Sequence, residues 1–308
     1  MTLAFLFPGQ GSQYVGMADS LASDDPNAEE VLAEADETLG FPLSSLMRDG
    51  PNEELTATMN AQPALLTHSV AALRVLAARR SNKELPAFAA GHSLGEFSAH
   101  VAAGTVTFVD ALCAVRLRGE LMFKAGQSRP GAMAAILGLS EEDVRDVCKQ
   151  VKTGVCVPAN FNSSGQIVIS GDTSAVDEGM ILAKERGAKR TVQLNVSGAF
   201  HSPLMEPAAE QLRTFLNDID FSDPHFPVIA NATAEPVTTG KEARDLLVAQ
   251  LVSPVRWTES IKAMTSRGVG HFLELGSGKV LSTLNRRNAK GLRSSAFGEP
   301  EDFNNLEI

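Results

Sequence analysis

The sequence predicts an α/β protein in which a small ferredoxin-like unit is inserted into a larger domain, and three observations carry that expectation. Apolar runs of strand length alternate with amphipathic helical segments along most of the 308 residues. A Gly-x-Ser-x-Gly pattern, Gly91-His92-Ser93-Leu94-Gly95, stands where one such run ends and a helical segment begins. Residues 131–196 then change the rhythm to β-α-β-β-α-β, the order of a ferredoxin-like unit. Because the larger pattern resumes afterwards, the large domain is expected to be discontinuous, 1–127 and 199–308, with 128–198 as the small one.

Each element has a local reason. Residues 2–7 are an apolar strand that Pro8 and Gly9 end at once, and 27–39 form an acidic helix. Residues 62–80 make a long helix with apolar positions at Leu65, Leu66, Val70, Leu73 and Leu76. A short buried strand over 85–90 leads into the serine turn, a helix over 94–103 stops at Gly104, and another covers 108–124. In the small unit the strands are 132–137, 155–160, 167–170 and 191–196. Its helices are a segment capped by Ser140 that runs to Val151, and residues 174–186. A helix over 203–216, a strand over 227–231, helices over 243–251 and 257–266 and a strand over 271–275 complete the large domain. Residues 299–308 are polar and expected to be a loosely held tail.

Composition narrows the function classes. A net charge of −10 argues against nucleic acid as the main partner, so an acidic partner would need a local basic patch. No apolar run approaches a membrane span, and residues 3–7 lack the basic flank of a signal peptide. A cytoplasmic protein is expected, with no membrane contact. The three cysteines, Cys113, Cys148 and Cys156, have no paired spacing, which argues against a disulfide framework or a zinc site and for buried apolar packing.

The serine turn carries the chemistry. A nucleophile elbow is so sharp that the residues two before and two after the serine must lack a β-carbon, and Gly91 and Gly95 satisfy that. A serine needs a base, so the six histidines compete. His92 leaves the turn in another direction, and His100 lies about 10 Å further along a helix. His68 sits in an apolar helix, and His225 and His271 flank turns. His201 stands in the small-residue loop 197–203, where a side chain can enter a cleft. Gly9-Gln10-Gly11 lacks the third glycine of a dinucleotide fingerprint, having Tyr14 there, and Gly276-Ser277-Gly278-Lys279 lacks the upstream glycine of a phosphate loop, having Leu273. A glycine-flanked turn after the first strand can instead aim an N–H at an oxyanion, with the Leu94 N–H as the second donor. Arg118 lies among Leu117, Leu121 and Met122, and a buried arginine without an anion is costly.

The segments Phe7 to Gln13, Gly91 to Glu96, Arg118-Gly119, Gly198 to Ser202, Gln250-Leu251 and Pro254 to Trp257 resemble the malonyl-CoA:acyl-carrier-protein transacylases of fatty-acid synthesis, in the same order. The resemblance runs from residue 3 beyond Arg287 and implies an α/β-hydrolase-like large domain with a ferredoxin-like insertion. It makes Ser93 the nucleophile, His201 the base and the Gln10 and Leu94 N–H groups the oxyanion donors. It makes Arg118 the grip on the malonyl carboxylate, and places the main-chain carbonyl of Gln250, not an acidic side chain, behind the histidine. Gln10, Phe200 and Met122 are expected at the substrate, with Phe200 excluding a methyl branch. The implied reaction is ping-pong transfer of malonyl from malonyl-CoA to the phosphopantetheine thiol of acyl carrier protein, without metal or other cofactor, in a monomer. Lys189, Arg190, Arg286 and Arg287 are the basic clusters expected to dock the acidic carrier protein. Ser277 departs from the family's more frequent proline and is expected to loosen its turn. The alternatives are a polyketide-pathway acyltransferase of the same family, a serine esterase or thioesterase, and a non-catalytic carrier-binding subunit.

Overall fold

The computed structural model describes residues 2–80, 85–304 and 306. Their strands, in chain order, are β1 (Leu3–Phe7), β2 (Phe88–Gly91), β3 (Gly131–Leu137), β4 (Cys156–Ser163), β5 (Gln166–Asp172), β6 (Arg190–Gln193), β7 (Val228–Ile229), β8 (Pro236–Val237), β9 (His271–Leu275) and β10 (Arg293–Phe297). Six of them form a sheet ordered β10-β9-β1-β2-β7-β8, parallel throughout except for the antiparallel β7/β8 pair. The other four form an antiparallel sheet ordered β4-β5-β3-β6, with helices Glu141–Gln150 and Thr173–Glu185 following β3 and β5. The chain is a mixed α/β fold.

A parallel sheet is stable only with both faces covered, so its strands must be apolar on both sides. In β1, Phe5 and Phe7 join the core with Leu65, Leu66 and Val70 of helix Thr58–Arg79, while Ala4 and Leu6 join the opposite core with Trp257 and Phe272. β9 is buried at every residue and carries Glu274, whose carboxylate accepts the N–H groups of Leu281 (3.0 Å) and Ser282 (2.7 Å) at the start of helix Val280–Asn288. Those donors offset the burial that pushes its pKa up. The small sheet joins the large one's core through Val255, which packs with Ala4 and Leu6 and bonds β4 on both sides, its N–H to Ala159 O and its carbonyl to the Phe161 N–H.

Several elements differ from the sequence reading. The long helix begins at Thr58, not 62, and continues through Pro63. Proline has no N–H for the carbonyl four residues back, and Arg116 Nη1 donates to that carbonyl, Met59 O, at 3.0 Å instead. The strand before the serine turn starts only at Phe88, and Leu85 is 64% exposed. The last strand of the small sheet stops at Gln193, after which the chain turns into the cleft. Helices Asp19–Asp24, Leu43–Asp49, Asn52–Thr56 and Val280–Asn288 and strands β8 and β10 had no sequence counterpart.

The expected tail is partly a docked helix. Pro300–Phe303 packs Phe303 on Phe297 and bonds Asp302 to Lys279 at 2.8 Å, while 305, 307 and 308 lie outside the described residues. Ser277 is buried and its hydroxyl donates to Ser12 O, which ties its turn to the loop after β1 instead of leaving it loose. Cys148 and Cys156, unpaired in sequence spacing, bring their sulfurs within 3.8 Å between a helix and β4, both unoxidised.

Candidate active site

The serine turn sits at the carboxyl ends of β1 and β2, and steric crowding explains its glycines. A β-carbon on Gly91 would lie 1.9 Å from the Gly95 carbonyl, one on Gly95 2.2 Å from Phe7 O, and one on Gly9 2.3 Å from His92 O. The loop after β1 therefore presses directly against the elbow. Ser93 adopts a left-handed φ of 52°, a conformation that costs a non-glycine residue about 1–3 kcal/mol and needs outside support. Asn231 and Gln250 supply it. The Ser93 N–H donates to Asn231 Oδ1 (2.7 Å), Asn231 Nδ2 donates to Gly91 O (2.7 Å), and Gln250 Nε2 donates to Ser93 O (2.9 Å).

His201 reaches this turn from the loop before Pro203, itself at a left-handed φ of 56°. Its Nε2 lies 2.8 Å from Ser93 Oγ, and its Nδ1 lies 2.9 Å from Gln250 O. A carbonyl only accepts, so Nδ1 carries the proton and Nε2 presents its lone pair to the serine hydroxyl. Burial, then the charge of Arg118, hold the imidazole pKa down at about 3, so it is neutral at physiological pH.

Arg118 is 1% exposed beneath the serine. Nη1 donates to Gln62 Oε1 (2.7 Å), and Nη2 donates to Gln250 Oε1 (2.9 Å) and to Ser93 Oγ (3.2 Å). Nε has no partner, and among the described residues no carboxylate lies within 4.0 Å of the guanidinium. Burial lowers its pKa to about 10, which leaves it charged. The site thus holds a desolvated cation without a touching anion.

A cavity of about 300 Å³ opens over the serine, lined by Gln10, Ser93, Met122, Phe200 and His201 together with His92, Asn160 and Asn162. The backbone N–H groups of Gln10 and Leu94 have no protein acceptor among the described residues, while the Gln10 side chain donates to Thr58 Oγ1 at 3.1 Å. Four of the other five histidine side chains have partners of their own: His92 with Asn162 Oδ1, His68 with Gly298 O, His100 with Thr105 Oγ1 and His271 with Ser295 Oγ.

Ser93, His201, Arg118, Gln250, Gln10, Leu94, Met122 and Phe200 therefore converge. The four basic residues do not. Lys189 and Arg190 are exposed at the start of β6, about 13 Å along the chain from Leu194, which lines the cavity. Arg286 and Arg287 are exposed on helix Val280–Asn288, and Arg286 borders a separate cavity of about 560 Å³. The end of that helix does approach the site, because Asn288 Nδ2 donates to Asn162 O at 2.8 Å. Sequence reasoning missed Asn231, Gln62 and Glu96. Gln62 and Glu96 carried one signal, a polar residue at a position whose neighbours are buried.

The sequence matches the acyl transferase domain family over residues 4–298. It is 49% identical over 301 residues to the malonyl CoA-acyl carrier protein transacylase of Bacillus subtilis, covering 97% of this chain and 94% of that one. The structure superposes on an acyl carrier protein S-malonyltransferase from Vibrio cholerae with a TM-score of 0.96, at 43% identity and 100% coverage of both chains. It also matches a chain in the complex of a type II PKS acyl-carrier protein with its malonyl-transacylase, with a TM-score of 0.94, 42% identity and 98% and 97% coverage.

Proposed function

This chain belongs to the acyl transferase family, with the malonyl CoA-acyl carrier protein transacylases, and on that premise we propose that it moves malonyl from malonyl-CoA to the phosphopantetheine thiol of acyl carrier protein. The observation that carries this reading is the buried Arg118. Its Nη2 lies 3.2 Å from Ser93 Oγ with no carboxylate beside it, so an acyl group on that oxygen ending in a carboxylate supplies the missing anion.

The steps follow from the site's atoms. As Ser93 Oγ bonds the thioester carbonyl carbon, its proton passes to His201 Nε2, and the carbonyl oxygen becomes an oxyanion facing the Gln10 and Leu94 N–H groups. The carbon–sulfur bond then breaks, and His201 returns the proton to the departing coenzyme A sulfur. Malonyl remains as an ester on Ser93. The phosphopantetheine thiol next gives its proton to His201 and attacks that ester, and the Ser93 oxygen leaves with the proton. Gln250 O holds the imidazole in the required tautomer throughout. This orientation by a carbonyl, together with Arg118, separates the reading from an esterase or thioesterase that uses an acidic third residue.

The same reading treats 1–127 and 199–308 as an α/β-hydrolase-like domain and 128–198 as a ferredoxin-like insertion, supported by the parallel sheet with its elbow and by the β-α-β-β-α-β order of the second sheet. Phe200 and Met122 line the acyl cavity, and the bulk of Phe200 beside the serine supports a preference for malonyl over a methyl-branched acyl group. Arg286 and Arg287, near the Asn288–Asn162 contact, are the stronger of the two candidate docking clusters. No helix among the described residues is long and apolar enough to cross a membrane, and a cytoplasmic enzyme fits the substrates. The test is intact mass after brief exposure to malonyl-CoA. Wild type gains one malonyl group that acyl carrier protein removes, and Ser93→Ala gains none while remaining folded; a malonylated Ser93→Ala protein refutes the assignment.

A further inference from the structure

Glu96 is wholly buried on helix Gly95–Ala102, one turn past the elbow, and no step of the reaction above uses it. Its Oε2 accepts two hydrogen bonds, from Gln250 Nε2 at 2.7 Å and from the Asn231 N–H at 3.0 Å. Gln250 and Asn231 are the residues that grip the strained Ser93 from its carbonyl and its N–H sides. One carboxylate oxygen therefore anchors both supports of the elbow.

The chemistry of that anchor is directional. A carboxylate only accepts, so the Gln250 side chain must turn its NH₂ toward Glu96 and Ser93 O. Its oxygen is then committed to Arg118 Nη2, at 2.9 Å. Reversing the amide would set NH₂ against the guanidinium and a carbonyl against a carboxylate and a carbonyl. Arg118 and Glu96 thus face each other through one neutral amide whose sense the cation and the anion fix together. We propose that Glu96 is a positioning residue for acyl transfer: as an anion it fixes the Gln250 amide and the Asn231 backbone, and so holds Ser93 and Arg118 in register.

A neutral group in its place specifies the amide less well, because an acid or amide offers both a donor and an acceptor. Burial, opposed by these hydrogen bonds and by Arg118, raises the Glu96 pKa to about 7, so the charged form is lost just below neutrality. The charged group facing it is Arg118 of helix Phe108–Ser128; Gln250 and Asn231 are neutral, and burial holds His92 of the elbow, His100 of its own helix and His201 of the facing loop below the ordinary histidine value. None of those histidines accounts for a change near pH 7.

The inference rests on Ser93 being the acyl acceptor, and the experiment separates the two. The rate of malonyl loading at saturating malonyl-CoA is measured by rapid quench and intact mass from pH 5.5 to 8.5 (about the stability range) on wild type, Glu96→Gln and Glu96→Ala, with folding checked by circular dichroism. Wild type is expected to slow as pH falls through about 7, and Glu96→Gln to load slowly at all pH values, without that limb. Glu96→Ala is expected to lose about 10- to 100-fold in rate while still reaching one malonyl group per chain. If Glu96→Gln keeps the wild-type pH profile, or a folded Glu96→Ala loads at the wild-type rate, Glu96 has no positioning role. Should Glu96→Ala fail to fold, the profile of Glu96→Gln decides. Absence of any malonyl on wild type would instead overturn the reading of Ser93.

Discussion

Arg118 and Arg186 are the same side chain in opposite settings. Arg118 lies 1% exposed under the serine turn, held by two glutamine amides and a hydroxyl, and has no touching anion. Arg186 lies on the four-stranded unit, its side chain 36% exposed, between Asp143 at 2.9 Å and Asp146 at 3.2 Å. The contrast extends to the surrounding regions. Near the elbow, Glu96 and His201 are also buried and bonded to neutral groups. The small sheet keeps its charges outside in close pairs, as in Arg129–Asp172 and Arg145–Glu141. Exposed pairs settle locally and contribute little to stability, whereas a desolvated charge surrounded by dipoles retains most of its field for a ligand. Charge that matters to chemistry is thus where folding disfavours it.

The largest expected effect comes from removing the buried cation. Arg118→Ala should cut malonyl loading by about 100- to 1000-fold, since a carboxylate in a partly dry cavity then has no partner. Acetyl loading should hold or rise, because the unpaired charge no longer opposes an uncharged acyl group. Parallel loading assays with malonyl- and acetyl-CoA check this; an equal fall in both would make Arg118 a structural residue and remove the contrast with Arg186.

An intermediate effect is expected from acid. Burial lowers the pKa of His68, His92, His100 and His201 below the ordinary 6.5, to about 3 for the last two. The unfolded chain takes up those protons below pH 6.5 while the folded chain does not, so this part of the stability is present above 6.5 and lost as pH falls toward 3. Glu96, raised to about 7, and Glu274, also raised by burial, act in the opposite sense: Glu96 gains stability as pH falls from about 7 toward 4.5, and Glu274 likewise gains it as pH falls toward 4.5. With four histidines against two carboxylates, thermal unfolding should move down by about 5 °C or more between pH 6.5 and 5. A constant melting temperature across that range would show the buried groups to be more solvated than the structure has them.

The smallest effect should follow from breaking a surface pair. Arg186→Ala is expected to leave malonyl loading unchanged and to shift the melting temperature by no more than about 2 °C. A larger drop would mean that the Asp143 and Asp146 contacts hold the small sheet together and would weaken the distinction between the regions.

Much of the site was legible in the sequence because its signals are local. Gly91-x-Ser93-x-Gly95 fits a turn whose crowding extends over only a few residues, and residues 131–193 announced their strands and helices through short-range periodicity. The residues that support the turn left no such trace. Asn231 reads as the end of a strand, and Glu96 as one polar residue on a short helix, until folding brings them together across 135 positions. Gln250 reaches Ser93 O across 157. The same holds for Pro63, tolerated because Arg116 arrives from another helix, and for Cys148 and Cys156, which meet only because a helix packs on β4.

The sequence by itself therefore determined the alternation of elements, the elbow and the motifs that place Ser93, His201 and Arg118 in one family's pattern. Which polar group satisfies which buried partner was decided by tertiary structure alone. Periodicity reports whether a residue faces the interior, since that depends on its neighbours in the chain. A buried hydrogen bond depends on the angle and distance between two atoms, and these exist only after the sheets and helices have packed.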